Sequence, residues 1–298
     1  MRFGLVILPQ YEWPEAARLW RDAERLGFDH AWTYDHLSWR GLAGERWHAT
    51  IPTLTAAAIA TDRIRLGTFV ASPNFRHPVP FAKDVATLDQ ISGGRVVLGL
   101  GSGGTGFDAF VLGRGELTAR ERFDRFREFT EALDVLLRFE GGSRGSGRGI
   151  SYSGDWFSAV DARMVGAPAQ ESRTPFLIAA NGPRSMRLAA RFGSGWVTTG
   201  PQADADDAWW SGVAELVTRL DDACVAEGRD PADLDRVLSL DDEARYSMRS
   251  VGAFEDAVGQ ARELGFTDVV VHRPREQGIY AGSEDVLEEV GSRLEALR

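Results

Sequence analysis

Short apolar runs alternate with long amphipathic stretches from one end of the 298-residue chain to the other, and no other feature of the sequence constrains the fold as much. Parallel strands cannot be joined by a tight turn and need a crossover, usually a helix, so the alternation predicts an α/β protein with a parallel sheet. Phe3 to Leu8, His30 to Thr33, Ile64 to Val70, Val96 to Leu100, Phe176 to Ala180, Gly195 to Thr199, Val237 to Leu240 and Asp268 to His272 read as strands. The helices predicted after them are Pro14 to Leu26, Ile51 to Ala60, Phe81 to Ile91, Arg120 to Phe139, Arg184 to Phe192, Asp207 to Glu227, Ala253 to Leu264 and Glu284 to Leu297. In the fourth, Phe123, Phe126, Phe129, Leu133 and Leu136 recur at steps of three and four, which is a helical stripe. Eight strand-helix pairs are the number that closes into a filled barrel, so the expected fold class is a (β/α)8 TIM barrel. An open doubly wound sheet is the alternative that periodicity alone leaves standing.

The regular pattern breaks once. Gly141 to Gly149 holds five Gly, two Ser and two Arg and reads as a flexible loop, and Tyr152 to Met164 reads as a small hairpin or irregular insertion. The domain expectation is therefore a single barrel over 1–298, with 141–175 inserted between the fourth and fifth strands. A net charge of -10, from 44 acids against 34 bases, argues against nucleic acid as the principal ligand. No eighteen apolar residues follow one another, and Met1 to Leu8 is too short for a signal h-region, so neither a membrane span nor a leader is expected. The single cysteine, Cys224, cannot form an intrachain disulfide, which fits a reducing cytoplasm. The partners expected are a small-molecule substrate and a second copy in a homodimer.

Several motifs fall where the predicted strands end. Gly99, Leu100, Gly101, Ser102, Gly103 and Gly104 match G-x-G-x-x-G, the dinucleotide fingerprint. That reading needs a helix to follow at once and an acid about twenty residues on, at the end of the next strand. Thr105 to Ala119 reads as loop instead, and Asp124 falls on a helix. Bare backbone approaching a flat ligand, which only Gly permits, suits the segment better. Tyr34, Asp35, His36, Leu37, Ser38 and Trp39 follow the second strand at the end of a barrel where active sites form. There Asp35 could orient or charge His36 for proton transfer, and Trp39 would supply a flat apolar wall. His48 and His77 are weaker candidates, and His30 is expected in the core.

Phe69, Val70, Ala71, Ser72, Pro73, Asn74, Phe75 and Arg76 run from the end of the third strand into its loop, apolar first with small and polar residues after, as suits a ligand stacked on one side and hydrogen-bonded at its rim. Asn181, Gly182 and Pro183 open the fifth helix, whose free amides favour an anion. No spacing of His, Cys, Asp and Glu suggests a metal site.

Together GTFVASPNFRHP (Gly67 to Pro78), ATLDQISGGRVVLGLGSG (Ala86 to Gly103) and PFLIAANGPRSMRLAARFGSGWVTTG (Pro175 to Gly200), with Asp35 and His36, resemble the bacterial luciferase-like superfamily over nearly the whole chain. The resemblance implies a (β/α)8 barrel with FMN or the deazaflavin F420 at the strand C-termini. It also implies a non-proline cis peptide at Phe69 to Val70, supporting the middle of a tricyclic ring. By the same resemblance Asp35 approaches the polar edge of the ring and Gly101, Ser102 and Gly103 lie against the cofactor chain, while Ala180, Asn181, Gly182, Pro183 and Thr199 help to hold its phosphate. Two departures limit the transfer. The sugar-phosphate dehydrogenase branch has a Glu after the fourth-strand glycines where this chain has Gly104, and it clamps the sugar phosphate with lysines. This chain has one lysine, Lys83, on a predicted outer helix.

The lysine-poor, asparagine-poor composition is that of GC-rich genomes, in which the deazaflavin branch is abundant, and F420 is the cofactor expected. The expected chemistry is hydride transfer between F420 and an apolar organic substrate, with His36 as acid or base, Asp35 its partner and Trp39 a wall. An FMN-dependent monooxygenase is the alternative within the family. A non-catalytic flavin-binding barrel, its site blocked by Gly104 to Ala119, is the alternative outside it. Tryptophans Trp209 and Trp210 mark a helix that either contacts another copy or packs within the monomer.

Overall fold

The computed structural model describes residues 1–138, 149–203 and 205–298. In chain order the elements are β1 (Arg2–Val6), α1 (Trp13–Arg25), β2 (His30–Thr33), α2 (Thr50–Ala60), β3 (Arg65–Thr68), α3 (Pro78–Ser92), β4 (Val96–Leu100) and α4 (Ala119–Leu137). A hairpin of β5 (Ile150–Ser153) and β6 (Ser158–Ala162) follows. The chain then continues with β7 (Phe176–Ala179), α5 (Pro183–Phe192), β8 (Gly195–Thr198), α6 (Asp206–Ala226), β9 (Asp235–Ser239), α7 (Val251–Glu263), β10 (Asp268–His272) and α8 (Glu284–Arg293). The strands β1, β2, β3, β4, β7, β8, β9 and β10 pair in that order, all parallel, and β10 closes on β1. This is the (β/α)8 barrel expected from the alternation. The open sheet is excluded.

Side chains alternate across each strand. Val6, Trp32, Leu177, Val197, Val237 and Val270 fill the barrel, whereas Leu5, Ala31, Leu66, Leu98, Ile178 and Trp196 face the helices. Trp32 is the largest of the interior group, and glycines make room for it. A Cβ on Gly67 would sit 2.4 Å from the Trp32 ring and 2.3 Å from the Val97 carbonyl oxygen. Beneath Trp32 the floor is polar. Trp32 Nε1 donates to His30 Nδ1 at 2.6 Å, and His30 Nε2 lies 3.0 Å from Asp268, which Arg2 also grips. An indole N–H can only donate, so Nδ1 of His30 is the acceptor and Nε2 carries the hydrogen. His30 is thus a satisfied core residue.

Helix α4 begins with a capping box between Thr118 and Glu121 and turns Phe126, Phe129, Leu133 and Leu136 inward, the stripe read from the sequence. Its Glu128 accepts the backbone N–H groups of Asp155, Trp156 and Phe157, pinning the turn of the β5–β6 hairpin to the barrel wall. The hairpin overlaps the predicted Tyr152 to Met164 insertion but begins two residues earlier, at Ile150, which pairs with Ala162. Phe139 and the glycine-rich stretch 141–148 lie outside the described residues. Trp209 is buried, its Nε1 donating to the Thr199 carbonyl at 3.2 Å and its ring lying under Arg245. Packing within the monomer therefore accounts for it. Among the described residues no helix is long and apolar enough to cross a membrane.

Predicted β3 overran its observed end. The ladder stops at Thr68, and the Phe69–Val70 peptide is cis, as the resemblance implied. The chain rejoins the sheet at Ala71, whose N–H donates to Gly99 and whose carbonyl accepts from Gly101, both at 2.8 Å.

Candidate active site

The C-terminal ends of the strands surround a cavity of about 760 Å³. That lies within the 300–1,000 Å³ typical of sites for organic ligands. Of the predicted residues it brings together His36 and Trp39 from the loop after β2, Phe69 and Val70 after β3, and Gly101, Ser102 and Gly103 after β4. Ala180, Asn181 and Gly182 after β7 and Thr199 after β8 complete that set. Gly104, Thr105 and Gly106 form part of the wall and leave the cavity open, so the Gly104 to Ala119 loop does not block it. A Cβ at Gly104 would meet nothing within 4 Å, and one at Gly182 only Ser185 Oγ at 3.7 Å. At these two positions the wall is bare backbone beside open space, which is what a flat ligand needs.

Asp35, Ala71, Asn74 and Pro183 do not line the cavity. The expectation for Asp35 is corrected: it is 1% exposed, and Arg76 grips it through Nη2 at 2.6 Å and Nε at 3.1 Å. Asp35 and His36 are consecutive, so one side chain turns towards the barrel wall as the other turns into the cavity. Ala71 is consumed in the ladder bonds just described. Asn74 is buried beneath Gly103, where a Cβ would lie 2.5 Å from Asn74 Oδ1. Pro183 starts α5 behind Gly182. The first intrahelical bond there, Met186 N–H to the Gly182 carbonyl at 2.9 Å, leaves the earlier amides of Arg184 and Ser185 beyond it.

The carboxylate that meets His36 is Asp108. Its Oδ2 lies 2.6 Å from His36 Nδ1, while Asp108 itself is buried in a short 3-10 turn, Phe107–Ala109, within the loop read as irregular. An ionised carboxylate only accepts, so His36, which lines the cavity, carries its hydrogen on Nδ1 and keeps a lone pair on Nε2. No periodicity marks that loop, and sequence reasoning missed Asp108.

A second buried group forms the cavity floor, of which sequence reading singled out only Tyr34, in the motif after β2, and missed His272, Tyr280 and Asp241. Tyr34 Oη lies 2.7 Å from His272 Nε2 and 3.1 Å from Tyr280 Oη, and the Tyr280 ring stacks on His272. Asp241 accepts the His272 backbone N–H at 2.6 Å and faces its Nδ1 at 3.3 Å. Burial and the neighbouring Tyr280 raise the Tyr34 phenol well above its ordinary value, and burial pushes Tyr280 up to about 12. Both phenols are therefore neutral near pH 7 and can donate. The signal was available: His272 ends a strand on the barrel face where sites form.

The remaining histidines lie elsewhere. His77 caps α3, accepting from Val79 N–H, and His48 is exposed beside α2. Lys83 on α3 donates to the Val165 carbonyl at 2.7 Å, outside the cavity.

The profile of the luciferase-like monooxygenase family matches residues 1–241. The chain belongs to that family. Among its luciferase-like relatives, an F420-dependent glucose-6-phosphate dehydrogenase of Microbacterium testaceum is 34% identical over 220 residues, 73% of this chain and 60% of that protein. An F420-dependent hydroxymycolic acid dehydrogenase of Mycobacterium tuberculosis is 32% identical over 271 residues, 88% of this chain and 66% of that one. The chain spans about 60% of the length of the glucose-6-phosphate dehydrogenases it matches. Among solved structures, the coenzyme F420-dependent tetrahydromethanopterin reductase of Methanopyrus kandleri superposes at a TM-score of 0.76 and 20% identity, covering 100% of this chain and 99% of that one. An F420-dependent secondary alcohol dehydrogenase superposes at 0.82 and 17% identity over the same shares. At such identities these two establish the luciferase-like fold alone.

Proposed function

We propose that this chain is an F420-dependent oxidoreductase that moves a hydride between the cofactor and a small apolar organic substrate. The observation that carries the reading is the pairing, in one cavity, of a bare glycine wall with a histidine base held by a buried carboxylate. The F420 dependence of the curated relatives quoted above supports this cofactor over FMN. Phe69 and Val70 would support the ring and Gly101, Ser102 and Gly103 would lie against the cofactor chain, while Ala180, Asn181, Gly182 and Thr199 would hold the phosphate with the α5 amides that Pro183 precedes. When bound, F420 supplies a carbon centre that takes or gives a hydride as an electron pair.

The protein's part is the proton. His36 Nε2 takes the hydroxyl proton of an alcohol substrate, or returns it to a carbonyl oxygen, and Asp108 stabilises the imidazolium in between. Tyr34, Trp39, Phe69 and Tyr280 wall the substrate end with aromatic surface and displace water. Asp241, Asp242 and Glu243 line the same end, and Lys83 is tied elsewhere, so an anionic substrate such as glucose 6-phosphate is not the one proposed. The chain is one barrel domain in this reading and works as a homodimer. The charge-free helix α2, with Ile59 75% exposed, supports that assembly, and sedimentation equilibrium tests it.

The activity is tested by mixing the protein with oxidised F420 and a panel of small neutral alcohols, and with reduced F420 and the matching carbonyl compounds. Loss or recovery of the oxidised cofactor's absorbance with at least one pair is expected. Binding of F420 without exchange across the panel contradicts the proposal.

A further inference from the structure

We infer that the substrate carries a second hydroxyl besides the one that reacts, and that Tyr280 recognises it by accepting its hydrogen. The hydrogen bonds under the cavity floor run in one direction, and they leave Tyr280 at the end of a chain with its own hydrogen already spent. That the bound molecule is the substrate rests on the proposed oxidation; the direction of the chain does not.

The chain starts at Asp241. Its Oδ1 accepts the backbone N–H and the hydroxyl of Ser247, both at 2.7 Å, and its Oδ2 accepts the His272 backbone N–H at 2.6 Å. A carboxylate so surrounded only accepts, so His272 turns its Nδ1–H towards it at 3.3 Å and keeps a lone pair on Nε2. The Tyr34 hydroxyl must then donate to Nε2 at 2.7 Å, and the 3.1 Å contact between the two phenols takes the hydrogen of Tyr280. Asp241 and His272 are 3% and 1% exposed, so water does not reset these directions. Tyr280 lines the cavity with lone pairs to share and no hydrogen to give.

The backbone singles out the same residue. Tyr280 has a φ of 62°, a left-handed conformation that bulky side chains avoid and that persists chiefly where a site needs it. Here it lays the ring on His272 and brings Oη to Tyr34. The proposed base is near, since the Tyr34 ring meets His36 edge to face at 6.1 Å between centroids, and one small molecule can reach both. The carboxylates at this end do not call for an ammonium instead. Arg245 pairs with Asp242, Arg40 pairs with Glu243, and donors surround Asp241. A neutral hydroxyl on an apolar body fits, whereas an ether oxygen at the same place would set lone pair against lone pair.

The three hydroxybenzyl alcohols and their methoxy counterparts test this by isothermal titration calorimetry of the full chain with reduced F420, which takes no hydride from an alcohol. At least one hydroxy isomer should bind about tenfold tighter than the methoxy compound of the same pattern, the worth of one hydrogen bond. Tyr280→Phe removes the acceptor and should weaken the hydroxy compound selectively. Tyr34→Phe returns to Tyr280 the use of its hydrogen and should strengthen the methoxy compound, which a merely looser floor would not do. Equal binding within every pair, absence of binding included, overturns the inference. So does a preference unmoved by Tyr280→Phe, or an equal loss of both compounds in Tyr34→Phe. Hydride exchange with oxidised F420 is followed separately by absorbance. A preference that holds without exchange removes the proposed oxidation and leaves the acceptor at Tyr280 standing.

Discussion

Asp35 and His36 stand side by side in the chain, yet they serve different ends. Asp35 completes a buried ion pair with Arg76, whose guanidinium also lies over Phe75 and Phe81. Removing one partner of such a pair leaves an uncompensated charge, so Arg76→Met should lower unfolding stability by about 3 kcal/mol in chemical denaturation. A change under 1 kcal/mol would show that water already solvates Asp35. His36→Ala should leave F420 affinity nearly intact and reduce turnover by around a hundredfold, the usual scale of a lost acid or base. Unchanged turnover removes His36 from the mechanism. At this scale the sequence was only half legible. It placed His36 in the cavity, because the stretch after β2 lies at the barrel end where sites form. It pointed to Asp35 as the partner because adjacency in sequence is visible, whereas Asp108 arrives from 72 residues away through a loop without period.

The elements were more legible than their ends. Every barrel strand and its following helix falls where an apolar run and a longer helical stretch are read, with the plainest stripe in α4, but β3 stops short because Phe69 and Val70 line the cavity before the chain rejoins β4 at Ala71. Within β3, Gly67 gives Trp32 its space, and Gly67→Ala should destabilise by about 1–3 kcal/mol as the added carbon meets backbone and ring. Thermal melting measures this, and an unshifted midpoint would mean that Trp32 has room to move.

At the other end of the barrel, burial alone would raise the Asp268 carboxyl. The hydrogen bonds from His30, Arg2 and Thr267 outweigh that and hold it down to about 2. A folded value below the unfolded one, roughly 4, means that this stabilisation is complete above about pH 4 and is lost as pH falls towards 2. It is worth about 2 kcal/mol, so Asp268→Asn should flatten the loss of stability between about pH 4 and pH 2, read by urea denaturation. An equally steep loss in the variant would assign the acid sensitivity to other carboxyls.

For the molecule as a whole, closure of the barrel follows from repetition, since eight similar pairs leave no free edge. Periodicity therefore carried the architecture. It could not carry the chemistry, because the groups that converge at the strand ends come from separate strands and loops, and nothing in the sequence pairs Tyr34 and His272 with Asp241 and Tyr280 until the strands bring them together. The central claim is that this convergence forms a seat for a deazaflavin. The most direct test is a fluorescence titration of the purified protein with oxidised F420 and with FMN, side by side. The account predicts saturable binding of F420 at least tenfold tighter than of FMN. Equal or tighter binding of FMN, or no saturation with F420, would contradict it.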